Sequence, residues 1–88
     1  MISEKLTKTI LTTLKIDEFV ITEAMTAGEI PGWDSLNHIK VIHSIEREYN
    51  ISFRGMELIR MKNLGDLQRL VDNKLKEKSS QVKQPATP

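Results

Sequence analysis

The sequence predicts an all-α fold: a small four-helix bundle with a long loop between helices I and II and a short helix III. Apolar residues recur at three- and four-residue steps in separate stretches, with no strand-like alternation long enough to pair and no internal repeat. The chain has 88 residues and no cysteine, so its core must come from packed aliphatic side chains rather than from disulfides or a thiolate metal site. One domain of modest core is expected, with short connections apart from the first.

Ile2, Leu6, Ile10, Leu11 and Leu14 form the first apolar stripe, and Ser3 is a suitable cap, which predicts helix I over residues 3 to 15. Thr9, Thr12 and Thr13 lower its intrinsic propensity, so burial of the stripe must supply most of its stability. From Ile16 to Trp33 the periodicity fails, and Thr22, Thr26, Gly28, Pro31 and Gly32 punctuate the run. A loop this long in a compact domain needs anchors, and Phe19, Val20, Ile21, Met25 and Ile30 are the candidates for burial.

Helix II is predicted from Ser35 to Tyr49, where Leu36, Ile39, Val41, Ile42, Ile45 and Tyr49 recur before Asn50. At about 100° per residue, Ile42, Ile45 and Tyr49 cluster on one side. Leu36, Lys40, His43 and Arg47 fall in a narrow arc on nearly the opposite side, so Leu36 is an apolar residue placed where solvent or a partner should be. Ile51 and Phe53 mark a short extended link, and Gly55 opens a helix III of one or two turns through Met56, Leu58, Ile59 and Met61. Asn63 followed by Asp66 signals the start of helix IV, whose stripe is Leu64, Leu67, Leu70, Val71 and Leu75. The helix is expected to end near Lys76 to Lys78, where cations suit the negative end of the dipole. The domain then spans residues 1 to 78, and residues 79 to 88, without a periodic apolar face, form a disordered tail.

Thirteen Lys and Arg against 12 Asp and Glu leave a formal charge of +1, which makes no electrostatic case for nucleic acid. Basic character nevertheless grows along the chain: residues 1 to 33 hold three Lys and five acids, whereas residues 55 to 88 hold seven basic residues and four acidic ones. No apolar run approaches the ~20 residues of a membrane span, and the N-terminus mixes charged with apolar residues, so a cytoplasmic protein without membrane insertion is expected.

The segment Gly32-Trp33-Asp34-Ser35-Leu36 is the most informative. Asp34 and Ser35 are strong N-cap types directly before an apolar-periodic run, which puts a serine hydroxyl at the mouth of a helix. A serine hydroxyl can form a phosphodiester, and an anionic phosphate at a helix N-terminus meets unsatisfied N–H groups and a favourable dipole. That combination points to a carrier rather than a catalyst.

At Asp34-Ser35-Leu36 the chain resembles the acyl carrier protein family, whose defining segment is Asp-Ser-Leu at the start of the second helix. The likeness covers residues 2 to 77 and includes the long first loop, the spacing of Ile39, Ile42, Ile45 and Tyr49, Ile51 and Phe53 after helix II, and the helix entry from Asn63 to Val71. The resemblance implies that a phosphopantetheinyl transferase moves 4'-phosphopantetheine from coenzyme A onto Ser35, and that the arm's thiol then carries acyl groups as thioesters. It implies that Asp34 caps the helix and serves transferase recognition, helping to place metal ions during modification, and that Leu36 is gripped by partner enzymes. Leu36, Ile39, Lys40, His43 and Arg47 are expected to form the docking face for an acyl-loading ligase or transferase and for downstream acyl-processing enzymes, with the carrier acting as a monomer. Fatty-acid carriers are usually acidic along this helix, so Lys40, His43 and Arg47 are a departure, and partners with acidic or mixed surfaces are expected. Trp33 stands where small residues are common and suggests a carrier of a specialised or cell-surface pathway. A shallow apolar opening between helices II and III, with Ile59 and Met61 as candidate lining, would shelter part of an acyl chain.

Other chemistry finds less support. Ser35 and His38 with Asp34 lack the pocket and oxyanion site a hydrolase needs, and His38 projects toward the apolar side as a packing residue or a neighbour of the arm. His38 and His43 lie about 140° apart on the helix and do not pair as metal ligands. Gly28 and Gly32 lack the strand, helix and lysine of a nucleotide-binding loop. Two alternatives stay open: a carrier of an aminoacyl or aryl group, and a non-carrier helical module presenting Lys40, Arg47, Arg69 and Lys74 to a protein or nucleic acid. Asp-Ser-Leu is compatible with fatty acyl, hydroxyacyl, aminoacyl and aryl cargo alike.

Overall fold

A computed structural model describes residues 2 to 83. Among them are helix α1 (Glu4–Leu14), a single 3-10 turn (Ala27–Glu29), α2 (Ser35–Tyr49), α3 (Gly55–Ile59) and α4 (Leu64–Lys83), with no strand. The all-α four-helix architecture with its long first loop and short third helix is therefore present.

Helix α1 begins where Ser3 accepts the Leu6 N–H through its side chain, at 3.2 Å, and ends in Lys15 at φ 59°, whose N–H returns to Leu11 and Thr12. Thr9 and Thr13 turn their hydroxyls onto the carbonyls of Lys5 and Thr9, each at 2.8 Å, so their polar groups are satisfied within the helix. Leu6 and Ile10 are fully buried with Val41 and Ile45 of α2 and with Leu67 and Val71 of α4. Burial of each such side chain contributes about 1.5–3 kcal/mol, which is what holds a helix as poor in propensity as α1.

The long loop is pinned at several points. Ile21 and Ile30 are buried, and Phe19 and Met25 pack half-buried against the core, as expected of anchors. Val20 does not: it is 79% exposed, lying on the outer side of the chain between Phe19 and Ile21. The backbone supplies further ties, since the N–H groups of Leu64 and Gly65 donate to the carbonyls of Met25 and Glu23 at 2.8 and 2.9 Å. The start of α4 thereby closes the loop, and Asn63 caps it by accepting the Asp66 N–H at 2.9 Å.

Helix α3 is a single short piece tied down through Glu57. Glu57 accepts the Arg54 N–H at 2.8 Å and pairs with Lys74 of α4 at 2.9 Å, and these two bonds hold its carboxyl below the usual glutamate range. The Lys62 N–H and the Arg69 guanidinium do the same for Asp66.

Helix α4 runs past the expected end near Lys76 to Lys78 and reaches Lys83, so residues 79 to 83 are helical rather than a disordered tail. No Gly or Pro lies between Leu75 and Pro85, so nothing in the sequence breaks the backbone ladder where the apolar stripe stops. Lys78 also reaches back to the Asn50 carbonyl at 3.1 Å. The rest of the predicted tail, residues 84 to 88, lies outside the described residues.

Candidate functional site

Gly32, at φ 81°, turns the chain into the site, a backbone conformation that favours glycine, and Pro31 before it is a natural first corner of such a turn. Asp34 is the N-cap of α2, its carboxylate accepting the Asn37 N–H at 2.8 Å, while the Asn37 side chain donates to the Gly32 carbonyl at 2.8 Å. Ser35 is the first residue of the helix and is exposed. The N–H groups of Asn37 and His38 are used by Asp34, whereas those of Ser35 and Leu36 have no acceptor among the described residues. An exposed hydroxyl thus stands beside two open backbone donors at the positive end of a 15-residue helix.

Next to it lies an open hollow of about 650 Å³, walled by Ala27, Trp33, Asp34, Ser35, His38 and Ile39. Trp33 is 7% exposed, and its indole N–H donates to Nδ1 of His38 at 3.0 Å. His38 is half-buried and borders the same hollow as Ser35. Among the described residues no group of three His, Cys, Asp or Glu could hold a metal ion. No helix there is long and apolar enough to cross a membrane.

Along α2, Val41, Ile42, Ile45 and Tyr49 are buried, whereas Leu36 is 70% and Ile39 57% exposed. The helix-wheel misplacement of Leu36 is therefore a real feature of the surface. Lys40, His43 and Arg47 are exposed as well, and none makes an ion pair among the described residues. Arg47 also borders a cleft of about 380 Å³ between α1 and α2 that Lys5, Lys8 and Glu48 share with hydroxyl side chains.

The expected opening lined by Ile59 and Met61 takes a different form. Ile59 ends α3 and points into solvent, while Met61 packs half-buried on the core and lines a cleft between α3 and α4 with Arg60, Asp66 and Leu70. Two positions apart at the end of α3, the two side chains do not share a face. Neither residue borders the hollow at Ser35. Sequence reasoning also missed Asn37 and the burial of Trp33. The available signals were the need of a buried indole N–H for an acceptor and the N-cap spacing of Asp34 and Asn37.

The chain is 37% identical over 65 residues to the acyl carrier protein homolog of Mycoplasma genitalium, a match spanning 74% of each protein. The chain belongs to the acyl carrier protein family. Its fold superimposes on the solution NMR structure of the holo acyl carrier protein from Geobacter metallireducens with a TM-score of 0.81 and 40% identity, covering 88% of each chain. No protein-family model matches it. As in any acyl carrier protein, the function of the chain is to carry; the geometry at Ser35 bears on how it does so.

Proposed function

We propose that this acyl carrier protein is modified at Ser35 with 4'-phosphopantetheine and serves as a monomeric cytoplasmic cosubstrate, carrying a thioester-bound acyl group between separate enzymes without catalysing a reaction itself. The observation that carries the reading is the exposed Ser35 hydroxyl at the first position of α2, beside the open N–H groups of Ser35 and Leu36 and the hollow they adjoin. Similarity to a holo acyl carrier protein supports the same group here. A phosphodiester at Ser35 would meet those two donors, and Asp34, already committed to capping, keeps the helix start rigid while a transferase approaches. In the modification the Ser35 oxygen forms a bond to the pantetheine-side phosphorus of coenzyme A as the diphosphate bond breaks; the adenosine bisphosphate departs and the hydroxyl proton passes to a base of the transferase. The arm supplies the thiol that this cysteine-free chain lacks.

The docking face comprises Leu36, Ile39, Lys40, His43 and Arg47, with Asp34 at its edge serving transferase recognition as well as capping. Lys40 and Arg47, neither in an ion pair among the described residues, together with Lys5 and Lys8 of α1 across the cleft at Arg47, suit a loading ligase or transferase with an acidic or mixed surface. Transient interfaces of small area fit a carrier that must release its cargo to several enzymes.

Intact-mass measurement after incubation with a phosphopantetheinyl transferase and coenzyme A tests the assignment. A gain of one phosphopantetheine in the native chain, absent from Ser35→Ala, is expected; modification of the Ser35→Ala chain would overturn it.

A further inference from the structure

The pairing of Trp33 with His38 fixes the chemistry of an imidazole beside the attachment serine. An indole N–H can only donate, so Nδ1 of His38, 3.0 Å away, must be the acceptor. A ring that accepts at Nδ1 is neutral and carries its proton on Nε2. That second nitrogen has no partner among the described residues, and no side-chain nitrogen there is both buried and unsatisfied, so the Nε2–H is open to solvent or to a ligand. His38 and Ser35 wall the same hollow, and at a spacing of three residues their side chains rise from neighbouring positions on α2.

We propose that His38, held in this tautomer by Trp33, donates its Nε2–H to an acceptor oxygen at the serine-proximal end of the prosthetic arm, the phosphodiester or the adjoining pantoyl group. The inference rests on the reading that Ser35 bears the arm. His38 is here a positioning residue: it holds the root of the arm against the loop side of the hollow, between Trp33 and Ile39, and so biases the direction in which the thiol leaves the surface. Trp33 acts through His38. Being 7% exposed and bonded through its one polar atom, it offers the arm an apolar wall and keeps the imidazole from turning.

The donor is also matched to its position in the sequence. The open backbone N–H groups of Ser35 and Leu36 face the phosphate from the helix end, and His38 adds a side-chain donor from the next turn. A phosphodiester has oxygens enough for both. Three donors around one tether restrict it more than the helix terminus alone.

Nitrogen-15 NMR of the imidazoles, recorded on the unmodified and the phosphopantetheine-loaded chain, tests the proposal, with loading verified by mass. In the unmodified chain His38 should show the Nε2–H tautomer alone when neutral, and Trp33→Phe should admit the Nδ1–H tautomer beside it. On loading, the Nε2 proton should exchange with solvent about tenfold more slowly, the gain expected of one hydrogen bond to an anionic or carbonyl oxygen. His38→Gln, whose amide nitrogen can stand near the place of Nε2, should keep the arm's contacts with the hollow, and His38→Ala should lose them. A chain that accepts no phosphopantetheine overturns the Ser35 assignment and this inference with it. A fully loaded chain whose His38 resonances match those of the unmodified one, or an unmodified chain with the proton on Nδ1, overturns this inference alone.

Discussion

The Gln68 side-chain oxygen accepts the backbone N–H of Ser3 at 2.8 Å, across 65 residues of sequence. Among the described residues Gln68 is the buried polar side chain of the core, and its amide nitrogen is satisfied by Asp72 at 2.9 Å. The capping residue of α1 is thus fastened to the second turn of α4. Replacing Gln68 with Met would fill the space but leave the Ser3 N–H without its acceptor. Gln68→Met should lose about 1–3 kcal/mol of unfolding free energy in urea titration, with α1 amides losing exchange protection first.

Two glycines at helix starts should respond oppositely to alanine. A Cβ on Gly65 would stand 3.0 Å from the Glu23 Cβ and 3.3 Å from the Glu23 carbonyl oxygen, at the point where the loop is bonded to α4. A Cβ on Gly55 would meet open space. Gly65→Ala should be destabilising by about 1–3 kcal/mol despite the better helix propensity of alanine, whereas Gly55→Ala should be neutral or gain up to about 1 kcal/mol. Parallel thermal melts compare them directly.

Asp34 allows its two assigned tasks to be separated. Asn retains an oxygen that can accept the Asn37 N–H, and Ala does not. Asp34→Ala should cost about 1 kcal/mol of stability, and Asp34→Asn much less. If the carboxylate also serves transferase recognition, Asp34→Asn should slow phosphopantetheine transfer by more than its small stability loss explains; transfer at the native rate would leave capping as its task.

The basic stripe on α2 makes a prediction of sign. Lys40→Glu combined with Arg47→Glu reverses two exposed charges that make no ion pair among the described residues, so stability should fall by no more than about 1 kcal/mol, chiefly because Arg47 stands in the last turn of α2, where the helix dipole favours a cation. Loading by the native ligase or transferase should slow, and more at low ionic strength than at high, because the lost attraction is screened by salt. Unchanged loading kinetics would remove the charge argument.

Much of this molecule is written in local residue order. The spacing of Ile10, Ile42, Ile45 and Val71 specifies apolar helix faces, Ser3 and Asp34 mark helix starts, and Asp34-Ser35-Leu36 locates the candidate attachment residue, because periodicity and capping depend on residues within one or two turns. The exposure of Leu36 was legible for the same reason. What the fold alone decided are relations between distant segments: Gln68 on Ser3, Gly65 on Glu23, the outward Val20 within an anchored loop, and the placement of Ile59 and Met61 on different surfaces. The Trp33 to His38 bond belongs to that group although only five residues separate the pair, since it forms only once the turn at Gly32 carries the indole back over the first turn of α2. Pattern sets which face of a helix is apolar; packing sets which partner meets it, and a hydrogen bond between two elements exists only after both have been docked.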